Sequence, residues 1–399
     1  MRLALLIDDY LPNSTRVGAK MFHELACEFV KCGHDVVIIT PSFNQKQALE
    51  ISILDDVTIW KFQSGKIKDI GKIQRAINET LLSTRAWKAI KSKVENNSFD
   101  AVIYYSPSIF FSGLVTKLKK TCGCRSFLVL RDLFPQWAVD EGLIKEDSLI
   151  EKYFRHFEKL NYEAADNIGL MSKNNITLFN QLTSDSYKIT LLRNWAAFSP
   201  FNKLTLNFSY RDKLNLKDKI IYFYGGNIGH AQDTENLMRL VRNMQTYPQA
   251  HFLFVGQGDE VELINQLAID WNLNNFTYLP SITQDEFKHL LSEVDVGLFS
   301  LARSHTAHNF PGKLLGYMVE SLPILGSVNP GNDLLDIVND NDAGNIFING
   351  EDNKLLAAAI KYLEPDYRTN QGNNATVLLH KEFTVEAAAK KIINTIQIS

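Results

Sequence analysis

FSLARSHTAHNFPGKLLGYMVESLPILGSVNPGND, residues Phe299 to Asp333, reads as one structural unit. Val296 to Leu301 is a short apolar run of the kind that forms a strand inside an α/β sheet. Pro311 and Gly312 punctuate the loop that follows, and Lys313 to Glu320 sets Leu314, Leu315 and Met318 at helical spacing. Pro323-Ile324-Leu325 opens the next strand, and Asn329-Pro330-Gly331-Asn332 is a turn. Backbone amides at this loop-to-helix junction, beside Arg303 and Lys313, suit an anion. The same pattern fits an ordinary αβ crossover, so the rest of the chain has to decide between the two.

Upstream, the pattern recurs. Ile220 to Tyr224 is a strand, Gly225-Gly226-Asn227-Ile228-Gly229-His230-Ala231-Gln232 a glycine loop, and Thr234 to Asn243 a helix. Phe252 to Val255 with Gly256-Gln257-Gly258-Asp259 repeats it, and Phe276 to Leu279 adds another strand. Two glycine loops at one sheet edge suit a phosphate-bearing ligand. Asp340-Asn341-Asp342 has the DxD pattern but runs into Ala343-Gly344, so it reads as a turn.

The first half has the same grammar. Leu3 to Ile7 is an apolar strand, Asp8 to Gly18 a loop, and Met21, Phe22, Leu25, Phe29 and Val30 mark one face of a helix ending at Gly33. Val36 to Thr40 completes a βαβ unit whose loop lies at the carboxyl edge, where such sheets bind ligands. That loop lacks GxGxxG, so no dinucleotide fingerprint is present. Ala101 to Tyr105 and Ser126 to Leu130 are further strands, the second ending in Arg131-Asp132-Leu133-Phe134-Pro135. Asp132, directly after a buried strand, is a candidate reactive carboxylate; helix capping is the alternative. Tyr153 to Ala165 is helical, and Ile168 to Ser172 and Ile189 to Leu192 are strands. Trp195 to Asn207, with Pro200 and no periodicity, is the expected interdomain linker.

The chain's 399 residues allow two or three domains. A net charge of −3 gives no global pull toward nucleic acid, and none is expected as a partner. Cys27, Cys32, Cys122 and Cys124 lack partner histidines at zinc-finger spacing and read as reduced thiols. No apolar run approaches membrane-spanning length, and the N-terminus reads as a first strand, not a signal peptide. The expected location is the cytoplasm. Residues 61–94 carry nine Lys and Arg against Asp69 and Glu79, with Ile67, Ile70, Ile73, Ile77 and Leu81 at three- and four-residue steps. This predicts a basic amphipathic helix or helix pair. It is either a solvated helix on its own domain or a peripheral contact with an anionic membrane surface.

With both halves laid out, the chain resembles the retaining glycosyltransferases of family 4. Leu11-Pro12 through Gly18 and Cys32-Gly33-His34-Asp35-Val36 look like that family's opening loop, helix and GH-x-V strand. Gly226-Asn227-Ile228-Gly229 falls at the start of its donor domain, and Phe254-Val255-Gly256-Gln257-Gly258 is similar to its VGxG strand. Phe310 to Pro323 sits at its E-x7-E region. The resemblance implies an α/β protein of the GT-B fold, two Rossmann-like domains facing across a cleft. The expected boundaries are 1–195 for the acceptor side and 196–379 for the nucleotide-sugar domain, with 380–399 a helix packing back on the first. Arg131 to Pro135, the GNIG loop and Pro311-Gly312-Lys313 look nearest to the O-antigen and capsule branch, and within it to the L-fucosamine transferases, which use UDP-N-acetyl-L-fucosamine.

At the two glutamates of E-x7-E this chain has His308 and Gly316. The resemblance then implies a ribose contact from Asn332 or Asp333, and a contact near the transferred sugar from His308 or Asn309. The Arg and Lys that many members place on the diphosphate correspond to Asn227 and Gln232, which leaves neutralisation to Arg303, Lys313 or Arg193. The expected donor contacts also include Gly18, Gly226, Gly256, Phe310 and Gly312. Asp132 and His308 are the candidate catalytic residues, and Asp9, Asn13, Arg16 and Arg131 lie on the acceptor side. No cofactor and no metal are expected; the donor is a UDP-sugar and the acceptor a lipid-linked saccharide. A UDP-sugar 2-epimerase and a non-catalytic sugar-binding protein are the alternatives.

Overall fold

The computed structural model describes residues 1–12, 14, 16–43, 45–67, 70–106, 108–140, 142–184, 186–196, 198–201, 208–303 and 311–398. The chain divides into two compact units, Met1–Trp195 together with the segment from Val385, and Ala196–Thr384.

In the first unit the strands are β1 (Arg2–Leu6), β2 (Asp35–Ser42), β3 (Leu49–Leu54), β4 (Val57–Gln63), β5 (Ala101–Ser106), β6 (Arg125–Leu130), β7 (Asn167–Leu170) and β8 (Ile189–Leu191). They form one sheet in the order β3-β4-β2-β1-β5-β6-β7-β8, parallel except for the β3–β4 pair. Strand order reverses between β1 and β5, so the loop after β1 opens at the switch point. The helices are α1 (Val17–Lys31), α2 (Lys72–Thr80), α3 (Leu82–Ile90), α4 (Ser112–Cys122), α5 (Gln136–Asp140), α6 (Leu149–Glu163) and α7 (Lys173–Thr183). Apolar residues at three- and four-residue steps bury Phe22, Leu25 and Phe29 of α1 on one face of the sheet, each contributing roughly 1.5–3 kcal/mol.

The basic segment is not one helix. Lys61 lies on β4, and α2 and α3 follow. Leu82, Ala86 and Ile90 of α3 are buried in the unit's core, whereas Ile77 and Leu81 remain exposed. The β3–β4 hairpin has no counterpart in the sequence reading, because its outer strand alternates toward solvent and gives no buried run.

The second unit repeats the theme with β9 (Ile220–Asn227), β10 (Ala250–Gln257), β11 (Phe276–Leu279), β12 (Val296–Ser300), β13 (Ile324–Val328) and β14 (Gly344–Ile348). All pairings are parallel and the order is β11-β10-β9-β12-β13-β14, the doubly wound arrangement with its switch point between β9 and β12. Its helices are α8 (Tyr210–Lys213), α9 (Thr234–Asn243), α10 (Val261–Asp270), α11 (Gln284–Leu291), α12 (Gly312–Val319), α13 (Leu334–Asn339), α14 (Asp352–Lys361) and α15 (Pro365–Leu378). The last helix, α16 (Val385–Ile398), buries Val385, Ala388, Ala389, Ile392 and Ile396 in the first unit's core against α1. Trp195 ends the first unit fully buried, its indole N–H donating to the Met21 carbonyl.

Candidate active site

The strongest cluster of predicted residues lies at the carboxyl ends of β9 and β12. Gly226, next to last in β9, has φ +116°, a conformation that costs an L side chain dearly. A Cβ on Gly256 would stand 1.8 Å from the Gly226 carbonyl oxygen, so both loops need bare backbone here. Asn227 and Gln232 are turned toward each other, Nδ2 of the first donating to Oε1 of the second at 2.7 Å. They therefore close the glycine loop instead of supplying charge.

Lys313 sits in the first turn of α12, whose N-cap is Pro311 with no side-chain cap. Its Nζ is buried, has no hydrogen-bond partner among the described residues, and lies 3.9 Å from the centroid of the Tyr224 ring. A Cβ added at Gly226 would come within 3.6 Å of that nitrogen. Burial pulls its pKa down to about 7. The Tyr224 hydroxyl donates to the Asn227 carbonyl, tying the ring to the glycine loop. Aromatic contact alone is a small return for a buried ammonium, and among the described residues Lys313 has no other partner.

Arg303, exposed after β12, lies beside Gly350; a Cβ there would be 3.5 Å from its Nη1. Asn349, buried after β14, donates to Asp233 Oδ2 at 2.9 Å and to the Leu301 carbonyl at 2.8 Å. It thus knits together the loops after β9, β12 and β14. Sequence reasoning missed Tyr224, Asn349 and Gly350. Each has the ordinary look of strand or turn, and only the parallel register brings them to the switch point. Asn332 donates to Asn329 Oδ1 and accepts from the Leu334 N–H, so it shapes the turn before α13 beside Asp333. Gly316 is on α12, where a Cβ would meet Leu291 of α11 at 3.4 Å. His308, Asn309 and Phe310 lie outside the described residues.

In the first unit, the loop after β1 gathers its own group. Ser14 donates to Asp9 Oδ2 at 2.6 Å and accepts from the Arg16 N–H, while Arg16 Nε stands 3.6 Å from the same carboxylate oxygen. Asn13 lies outside the described residues. Gly18 lets α1 start against Tyr105, whose phenol oxygen a Cβ would approach to 2.9 Å. Asp8, Asp9, Ser42, Phe43, Ser64 and Ile67 line a pocket at the carboxyl ends of β1, β2 and β4. Carboxylates, hydroxyls and a ring in one recess are suited to a polyhydroxylated ligand. The serines and Phe43 carried no sequence signal beyond ordinary loop composition.

Asp132 is partly buried after β6, and burial pushes its carboxyl pKa up while Arg131 pulls it down. Arg131 itself is turned inward. Its Nη1 and Nη2 donate to the Leu192 and Arg193 carbonyls at 2.7 and 3.2 Å, and its guanidinium lies 4.7 Å from the Trp195 ring centroid. Burial lowers its pKa to about 10. In this arrangement Arg131 fixes the exit of β8. Arg193 is also buried, within 3.5 Å of the Met171 carbonyl, and like Gly18 belongs to the first unit.

Residues 207–377 match the glycosyl transferases group 1 family. The matched stretch covers most of the second unit. The chain is 23% identical to the probable glycosyltransferase WbjE of Pseudomonas aeruginosa over 57% of this chain and 57% of that protein. It is 23% identical to the putative colanic acid biosynthesis glycosyl transferase WcaI of Escherichia coli K12, over 79% of this chain and 80% of the other. The Anabaena protein HepE, solved in complex with UDP, superposes with a TM-score of 0.68 at 14% identity, covering all of both chains. The fold is GT-B, each half a Rossmann-like domain on a largely parallel sheet.

Proposed function

We propose that this glycosyltransferase moves a sugar from a UDP-sugar to a lipid-linked saccharide during assembly of a surface polysaccharide, with retention of anomeric configuration and without a metal at the diphosphate. The observation that carries the reading is the buried Lys313 ammonium beside Gly226 at the switch point, which has no hydrogen-bond partner among the described residues. Held protonated by a bound diphosphate, it supplies positive charge where negative charge grows on a leaving nucleoside diphosphate, the largest electrostatic contribution such a site can make. Arg303 and the uncapped first turn of α12 add donors from the same sheet edge.

The acceptor hydroxyl is assigned to the first unit, with Asp132 taking or orienting its proton and the Asp9–Arg16 loop holding the saccharide. UDP as the nucleotide is supported by the HepE complex, and polysaccharide assembly by the naming of WcaI. N-acetyl-L-fucosamine is the proposed sugar, on the resemblance of the Arg131 to Pro135 and Pro311 to Lys313 stretches. Among the described residues no helix is long and apolar enough to cross a membrane. Contact with a lipid-linked acceptor is assigned to a peripheral basic surface on residues 61–94.

The test is incubation with UDP-N-acetyl-L-fucosamine and polyprenyl-diphosphate saccharides, following UDP release and glycolipid mass. Acceptor-dependent UDP release supports transfer. A new UDP-sugar formed without acceptor would point to epimerisation, and stoichiometric binding without UDP release to a sugar-binding protein.

A further inference from the structure

Outside the set of predicted contacts, α1 and the β3–β4 hairpin bring three metal-ligating side chains together. His23 and Cys27 are four residues apart on α1 and so share a face. Asp55 comes from the two-residue turn between β3 and β4, where Asp55 and Asp56 both have positive φ, as the tightest hairpin turns require. His23 Nε2 lies 3.0 Å from Asp55 Oδ2 and 3.5 Å from Cys27 Sγ. All three ligand atoms fall within 4.8 Å of one another, and this is the one such His/Cys/Asp/Glu cluster among the described residues. A tetrahedral zinc ion with Zn–N and Zn–O near 2.0–2.1 Å and Zn–S near 2.3 Å spaces N and O by about 3.3 Å and N and S by about 3.5 Å. The spacings from His23 Nε2 to Asp55 and to Cys27 are close to those.

The other ring nitrogen is already engaged. Tyr10 Oη is 2.7 Å from His23 Nδ1, which fixes the ring's orientation and leaves Nε2, facing Asp55 and Cys27, as the ring's ligand atom. Neither carboxylate nor thiol sits on Nδ1, so the group does not have the order of a nucleophilic triad. A thiol, an imidazole and one carboxylate are the ligand set of a borderline-soft ion, not of magnesium or calcium.

We propose that His23 Nε2, Cys27 Sγ and Asp55 Oδ form a zinc site that clips the β3–β4 hairpin to α1, with solvent as the fourth ligand. Binding forms a zinc–sulfur bond and releases the thiol proton to solvent; no electron changes hands. Zinc with one thiolate and one carboxylate leaves the site neutral. Tyr10 lies between Asp9 and Arg16 and hydrogen-bonds His23, so the clip steadies the loop assigned to the acceptor. Ligand spacing along the chain gives no sign of this site. Asp55 reaches the other two only through the hairpin.

The experiment uses the full chain stripped with chelator and titrated with Zn2+ against a chromophoric competitor, and separately with Co2+. The expected result is one equivalent bound, with Co2+ giving a thiolate charge-transfer band and the visible bands of a four-coordinate ion. Cys27→Ser removes the charge-transfer band, and Asp55→Asn, which keeps a residue tolerant of positive φ, weakens binding. Tyr10→Phe lowers zinc affinity about 10–100-fold without changing stoichiometry. Cys32→Ser, on the exposed cysteine at the end of α1, leaves the band intact. No band in the unsubstituted protein, a band that survives Cys27→Ser, or one lost in Cys32→Ser would each overturn the proposal. UDP binding measured on the same samples reports separately on Lys313.

Discussion

Replacing Lys313 with Met removes the charge while keeping most of the aliphatic stem against Tyr224. In the ligand-free protein the ammonium is a burden. A pKa moved from 10.5 to about 7 corresponds to an upper bound on the order of 5 kcal/mol at 1.36 kcal/mol per unit. Local relaxation reduces this, so Lys313→Met is expected to raise stability at pH 7 by ~1–3 kcal/mol. The folded pKa lies below the unfolded one, so the unfolded chain holds the extra proton between about pH 7 and 10.5. The stability of the unsubstituted protein therefore rises across that window, and the variant lacks that rise. Donor binding moves the other way. A charge-assisted hydrogen bond contributes about 1.5–3 kcal/mol, so the Kd for UDP should weaken about 10–100-fold. Because a diphosphate restores the proton, calorimetry at pH 8 in buffers of different ionisation enthalpy should show uptake approaching one proton per UDP, and little uptake at pH 6. Denaturant unfolding from pH 6 to 10 checks the first half. Equal UDP affinity in both proteins, with no proton uptake at pH 8 in either, would refute the placement of a phosphate on Lys313.

Three further outcomes are expected. Asp132→Asn should lower kcat about 100-fold or more with little change in donor KM. In the unsubstituted enzyme the acid limb of kcat/KM should lie above the usual carboxylate range because burial raises that pKa, and the variant should lose this limb. Gly256→Ala forces β9 and β10 apart, since its Cβ would stand 1.8 Å from the Gly226 oxygen. A loss of about 2–4 kcal/mol in urea unfolding, with weakened UDP binding, is the expected reading. Neutralising Lys66, Lys68 and Lys72 together should reduce cosedimentation with anionic vesicles, and added salt should do the same to the unsubstituted protein. Equal recovery of both proteins would leave residues 61–94 as a solvated surface.

The linear sequence determined the alternation of strand and helix, because fully buried parallel strands such as Leu3 to Ile7 and Phe252 to Val255 leave unbroken apolar runs. It also determined which loops hold glycine at the carboxyl edge, and the presence of Lys313 at a helix start. It did not reveal that Asn227 and Gln232 bond to each other, that Arg131 spends its donors on the Leu192 and Arg193 carbonyls, or that Tyr224 lies under Lys313. The cluster of His23, Cys27 and Asp55 was equally hidden, since Asp55 is 28 positions beyond Cys27 and arrives through an antiparallel hairpin without a hydrophobic signature. The physical reason is common to all four. Periodicity reports which face of an element meets the core, whereas charge placement depends on strand register and turn geometry, and those are set only when the sheet assembles.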